Sequence, residues 1–271
     1  MTRLPLPSLT FGILLCIGSA PASAAAQSQS SGLTFPEATG TAPVFTPDMV
    51  EPDAVEALRA MSTYLMSLKT IGITSQGSLD VVTGEGQRIQ LDGTTTYKIR
   101  RPGFVIDYVS DIKDRRFIYD GKTFTIYSPK LGFDASEPAT ATNKEALNVI
   151  YEKFGVKLPL EDLFRWADPN GLRQQSLRSA YRVGPATING TPTDHYAFRE
   201  DEVDWELWIQ KGDQPLPRKL VIVDRTAAAH PTFSAHLSWT VNPAFTDSDF
   251  AFVPDKDAKR IQMATFKGSG Q

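Results

Sequence analysis

The residues able to do chemistry are few and scattered. There are three histidines, His195, His230 and His236, and no two stand at a spacing that a helix or a hairpin would turn into a metal-ligand pair. Each reads as a surface or partly buried structural histidine. Asp80, Asp107, Glu200, Asp204 and Glu206 fall on stretches with strand character and could pair as acid and base inside a cavity. Solvated strand faces are the better account of each. Ser75 lies in Gly-Ile-Thr-Ser-Gln-Gly, one residue out of place for a nucleophile elbow, and Gly84-Glu85-Gly86 stands in a polar turn, not between a strand and a helix. Neither a dinucleotide fingerprint nor a phosphate loop occurs. These observations point to no catalytic residue, no metal and no cofactor.

What the chain carries instead is apolar surface on strands. Phe104, Ile106, Tyr108, Phe117, Tyr119, Phe124, Ile126, Trp205, Leu207 and Trp239 all sit in runs with a period of two, which places alternate residues on one face of a sheet. Such a face is either an ordinary core or the wall of a cavity for a hydrophobic ligand, as curved sheets often supply.

The elements that must position these residues follow from the same periodicities. Val55, Leu58, Met61, Leu65 and Leu68 recur every three or four positions after Pro52-Asp53, so one amphipathic helix ends near Leu68. From Ile71 the period becomes two, with Asp92-Gly93 read as a bend or bulge. Phe104 to Val109, Arg115 to Tyr119 and Thr123 to Tyr127 follow, the last two joined by Asp120-Gly121 as a type I′ hairpin turn. Asn143 to Phe154 returns to helical spacing and stops at Gly155, and a second short helix spans Glu161 to Trp166. Strands resume at Ala180, with Asn189-Gly190 as another hairpin turn, and Phe250-Ala251-Phe252 closes the domain. The basic tail after Lys259 should fray. The sum is an α+β domain: a long antiparallel sheet of about ten strands, a helix before it and a helical cover inserted in the middle. A sheet of that length must curl or split, so a half-closed barrel capped by helices is expected.

Of the 271 residues, the first 24 read as a signal peptide, with Arg3, the apolar run Leu9 to Ala20 and the small residues Ala22-Ser23-Ala24. Cleavage after Ala24 or Ala26 fits. Residues 25–47 read as a flexible linker, 48–261 as the domain and 262–271 as a disordered tail. The single cysteine, Cys16, lies in the signal segment, which excludes disulfides and cysteine chemistry from the mature protein. The net charge of −3 becomes one unit more negative when Arg3 is removed, and no basic face for nucleic acid is present. After signal cleavage no stretch is apolar enough for a transmembrane helix.

An ordered set of motifs carries a family resemblance. Lys-Ile-Arg-Arg-Pro-Gly-Phe-Val-Ile-Asp-Tyr spans Lys98 to Tyr108, and Tyr-Asp-Gly-Lys-Thr-Phe-Thr-Ile-Tyr-Ser-Pro spans Tyr119 to Pro129. Trp-Glu-Leu-Trp-Ile begins at Trp205, Leu-Pro-Arg-Lys ends at Lys219, and Phe-Ala-Phe-Val-Pro ends at Pro254. From Asp53 to Ile261 the chain resembles the LolA-like superfamily of periplasmic lipoprotein carriers and receptors, and within it a group of predicted exported bacterial proteins. The resemblance implies a LolA-like unclosed antiparallel β-barrel with an α-helical lid over a cavity that takes acyl chains. It implies that Arg101, before Pro102, reaches the lid and helps it switch between closed and open forms. The chain departs from the carriers at Pro254-Asp255-Lys256-Asp257, where their last motif continues Pro-Pro-x-Gly. The expected role is an exported periplasmic, non-enzymatic binding protein for a lipid or an acylated protein. The alternatives are an envelope interaction module that docks a partner protein and keeps a vestigial cavity, and a hydrolase using cavity carboxylates or His195.

Overall fold

The structure is a computed structural model that describes residues 49–139, 142–155, 158 and 177–264. The chain divides into two units, Met1–Pro47 and Asp48–Gln271, and every described residue belongs to the second. The signal peptide, the linker, the second mid-chain helix and residues 265–271 lie outside the described residues.

Helix α1 (Pro52–Ser67) opens the domain. Pro52 at its first turn needs no backbone donor, and Ala54, Leu58, Met61 and Leu65 form the buried stripe. Six strands follow in sequence: β1 (Ile71–Val82), β2 (Arg88–Ile99), β3 (Phe104–Ser110), β4 (Asp114–Tyr119), β5 (Thr123–Ser128) and β6 (Phe133–Pro138). Helix α2 (Asn143–Phe154) comes next. The Thr142 hydroxyl accepts from the Glu145 amide at its start, and Gly155 ends it at φ 65°, the left-handed cap that glycine adopts without strain. Then come β7 (Ser179–Ile188), β8 (Thr191–Arg199), β9 (Val203–Gln210), β10 (Pro217–Asp224), β11 (Thr232–Val241) and the two-residue β12 (Lys259–Arg260).

All twelve strands form one sheet in the order β12-β6-β5-β4-β3-β2-β1-β11-β10-β9-β8-β7. Two runs of consecutive antiparallel strands, β1 to β6 and β7 to β11, meet where β1 pairs with β11. The sheet is open, since β7 and β12 end it without pairing to each other. The Met49–Glu51 segment covers the start of the β7 edge through Glu51 N to Ala180 O at 2.7 Å and Ala180 N to Met49 O at 2.9 Å. Further along, a register shift before Gly184 and the proline at 185 blunt that edge.

Among the described residues the strand count is twelve where about ten were expected. The additions are β6, whose Phe-Asp-Ala-Ser-Glu-Pro has no β-branched residue, and β12, which joins β6 in parallel. The tail does not fray directly after Lys259: Lys259 N donates to Gly132 O, Ile261 N donates to Asp134 O, and Arg260 pairs with Asp134 at 2.6 Å. Asp92-Gly93 is neither a bend nor a bulge. β2 runs through it in register, Gly93 facing Gly77 of β1, because the Tyr108 ring from β3 lies over the space that a Gly93 side chain would take. At Asp120-Gly121 only Gly121 takes a left-handed φ. The Asp120 carboxylate closes the turn by accepting from the Lys122 and Thr123 amides, both at 2.8 Å. Asn189 (φ 47°) and Gly190 (φ 78°) do form the two-residue turn with both residues left-handed.

Both faces of the β3–β4 region carry apolar groups, and different segments cover them. The helix-bearing face holds the main core. On the other face, Val105 and Ile118 pack under Phe245, Phe250 and Phe252 of the C-terminal strap. A 3-10 turn, Asp247–Phe250, shapes this strap, and Lys98 grips its Asp249 at 2.7 Å. The Arg100 guanidinium lies 4.2 Å over the Phe250 ring.

Candidate functional site

The helix-bearing face is built in cross-strand rows. Ile73, Tyr97, Ile106, Phe117, Ile126 and Ala135 stand opposite one another from β1 to β6. Phe104, Tyr119 and Phe124 form the row nearer the helices. Phe104, Ile106, Phe117, Tyr119, Phe124, Trp205 and Leu207 are all buried in one core with Leu58, Met61 and Leu65 of α1 and Ala146 and Ile150 of α2. Ring centroids of Phe104 lie 5.5 Å from Tyr119 and 6.3 Å from Phe124. Trp205 stacks on Phe198 at 4.0 Å. Ile126 and Trp239 are partly buried against this core, and the Trp239 indole donates to Pro217 O at 2.7 Å. Tyr108 is half-buried over Gly93, beyond the main core. The structure thus brings nine of the ten residues proposed for a cavity wall into or against one layer beneath the helices.

Open space lies at one end of that layer. A cleft of about 360 Å³ is lined by Ile126, Phe133 and Ala135 of β5 and β6, by Phe154 at the end of α2, and by Ile261 and Met263 of the C-terminal segment. Ile126 is the one wall residue from the sequence reading that reaches it. Leu131, Phe133 and Ile261 are 61 %, 39 % and 50 % exposed at its rim, a cluster of large exposed apolar side chains of the kind that marks binding surfaces. Arg115 brings a guanidinium to the same cleft. Strand parity puts it there: Arg115 follows Tyr108 in the next row of the helix-bearing face, while Arg116 points to the other face and pairs with Asp107.

Arg101 stands where the loop before β3 meets the helices. Its guanidinium donates to Met66 O at 2.7 Å and to Leu65 O at 3.4 Å, carbonyls of the last turn of α1, where Leu65 O also accepts from Leu68 N at 3.4 Å. A cation there also complements the helix dipole, and α1 has no basic residue in its last turn. The same loop is tied to α2. The Asn143 side chain accepts from Gly103 N at 2.7 Å and donates to Arg100 O at 2.8 Å. Gly103 has φ 133°, and a side chain there would come within 2.9 Å of Arg100 Nε. One short loop therefore holds the C-terminus of one helix and the N-terminus of the other. Arg101 was legible as a loop arginine; the Asn143 clamp had no signal in the sequence.

The polar groups weighed for catalysis are spread out and occupied. His195 Nε2 meets Glu206 at 2.7 Å, and the imidazole stacks on Trp208 at 3.9 Å, with Lys219 over the same indole. This row continues through Lys219 to His236 on the face away from the helices. Burial and the neighbouring Lys219 cation push the His236 imidazole down, which keeps it neutral. Asp204 is held by Arg199 at 2.7 Å and Arg225 at 3.7 Å, and Asp80 accepts from Thr232 N at 3.1 Å. No group of three potential metal ligands occurs among the described residues, and none of their helices is long and apolar enough to cross a membrane.

Comparison with solved structures returns remote likenesses. An uncharacterised conserved protein from Thermus thermophilus aligns at 12 % identity and a TM-score of 0.44, covering 78 % of this chain and 99 % of that one. LprF from Mycobacterium bovis aligns at 12 % identity and 0.41, covering 73 % and 97 %. A LolA superfamily protein from Nitrosomonas europaea aligns at 8 % identity and 0.34, covering 73 % and 97 %. No curated protein matches the chain. The ordered motifs fall within residues 54–264, which match the pattern of the predicted periplasmic proteins of DUF2092, and the chain is a periplasmic member of that family.

Proposed function

We propose that this protein is a non-enzymatic periplasmic binding protein that holds a hydrophobic ligand, such as the acyl chain of a lipid or lipidated protein, against the helix-bearing face of its sheet. The observation that carries this reading is the cleft of about 360 Å³ between β5, β6, the end of α2 and the C-terminal segment. Its volume lies within the ~300–1,000 Å³ range of small-molecule sites, and its apolar lining with few polar groups is their usual chemistry. The buried rows from Ile106 to Ile126 form the wall behind it, and Arg101 is the latch on the covering helix.

Uptake of a fluorescent acyl probe tests the reading, with bound lipid checked by native mass spectrometry of freshly purified protein. Saturable uptake that Met263→Glu weakens at least tenfold is expected. Protein that purifies free of lipid and leaves the probe in water refutes it.

A further inference from the structure

We propose that the cleft selects a single-chain amphiphile with an anionic head, and that Arg115 is the residue that reads the head. This rests on the binding role proposed above and adds the chemical class of the ligand. The argument begins with the company Arg115 keeps. Most other arginines on these strands have carboxylate partners: Arg116 with Asp107, Arg182 with Asp194, Arg199 with Asp204 at 2.7 Å, and Arg260 with Asp134 at 2.6 Å, while Arg218 instead donates Nε to the Gln210 side-chain oxygen at 2.8 Å. Arg115 is half-buried and has no carboxylate within ion-pair distance among the described residues. Its Nη1 donates to Asp114 O and to Ser128 Oγ, both at 2.6 Å, which fixes the side chain along the cleft wall. Nε and Nη2 have no hydrogen-bond partner among the described residues.

Of the nearby carboxylates one is paired with another arginine and one reaches Arg115 only through a hydroxyl. Asp134, which also lines the cleft, is neutralised by Arg260. Asp114 lies behind Ser128, 3.5 Å from its hydroxyl, and accepts from Lys130 N at 3.0 Å. The cleft therefore presents a guanidinium without a direct carboxylate contact among the described residues, beside Ile126, Phe133, Ala135 and Met263. A guanidinium in such surroundings offers a planar fork that suits a carboxylate or phosphate and gains strength as water is excluded. An apolar ligand without a charge would bury this cation unpaired, at a cost.

The size of the cleft limits the tail. A methylene group displaces about as much volume as a water molecule, ~30 Å³ in the liquid. A cleft of 360 Å³ then accommodates about a dozen chain carbons, which fits one chain and not several. The fit is to a fatty-acid-like molecule whose head lies at Arg115 and Ser128 and whose tail lies against Phe133, Phe154 and Met263.

Calorimetry near neutral pH with dodecanoate, dodecyl phosphate, dodecanol and dodecyltrimethylammonium tests this. The two anions are expected to bind at least tenfold tighter than dodecanol, and the cation weakest. Whichever anion binds tighter distinguishes a carboxylate head from a phosphate head. Arg115→Gln should remove the preference by weakening the anions and tightening dodecanol, which no longer buries an unpaired cation, and Arg115→Lys should keep part of it. Equal binding of dodecanoate and dodecanol to the unmodified protein overturns the head-group assignment and leaves the apolar cleft standing. Failure of all four to bind overturns both readings.

Discussion

Replacing Arg101 with leucine removes the cation that holds the end of α1. Two contacts are lost, the 2.7 Å bond to Met66 O and the longer one to Leu65 O. A hydrogen bond to a charged group contributes ~1.5–3 kcal/mol and a cation at a helix C-terminus ~0.3–1 kcal/mol, but Arg101 is exposed and water can replace part of both, so about 1–2 kcal/mol is expected. For a domain of this size that lowers Tm by roughly 2–8 °C. The loss should concentrate in one place, because α1 has no basic residue of its own in its last turn. Amide exchange followed by mass spectrometry should therefore accelerate ~5–30-fold in Leu65–Leu68, while β3 and β4 keep the protection of the core. Uptake of the acyl probe should become faster in the same variant. Exchange at Leu65–Leu68 indistinguishable from the unmodified protein, with an unchanged Tm, would refute the latch.

Two further predictions concern the C-terminal strap. Phe250 is fully buried against Val105 and Ile118, so Phe250→Ala should cost ~3–5 kcal/mol and lower Tm by roughly 10 °C; a shift within a degree of zero in a thermal melt would contradict the packing described. Asp249 is held from its ordinary 3.8 down to about 2, first by the Lys98 ammonium and then by the Thr246 amide and hydroxyl. A carboxylate depressed in the folded state contributes stability that is fully present above 3.8 and lost as pH falls towards 2. The strap should loosen across that window, read as exchange of the Phe250 and Phe252 amides, and Lys98→Met should move the onset of loosening to higher pH. Identical acid profiles for the two proteins would contradict the pairing.

Much of the sheet was legible because its residues obey one rule at a time. In β3, β4 and β5 aromatic and β-branched residues alternate, and the structure keeps Phe104, Ile106, Phe117 and Phe124 on the helix-bearing face. α1 was legible from its stripe, and α2 from its stripe and from Gly155. The failures have physical causes. β6 contains small and polar residues, and its strand state comes from pairing with β5 and β12, not from propensity. Asp92-Gly93 looked like punctuation, but the pair of glycines at 77 and 93 makes room for neighbouring rings. The cleft could not be read locally, since it needs Arg115, Phe154 and Met263 from three distant segments. Arg115 and Arg116 are alike in sequence, and only the parity of β4 decides which one faces the cleft.

The seam between β1 and β11 has a consequence for how the chain folds. Strands β2 to β5 and β8 to β10 each pair with sequence neighbours, so their hairpins close over short loops. β1 pairs with β2 on one side, but its other edge waits for β11, since Ile71 pairs with Val241. During synthesis or export, the first six strands can therefore assemble while the second edge of β1, nine residues long in the final pairing, stays open. Contacts this distant in sequence form slowly and leave strand edges available for pairing with other chains. The nascent protein is most prone to aggregate in that interval, and a chaperone or holding factor that shields the β1 edge would act there.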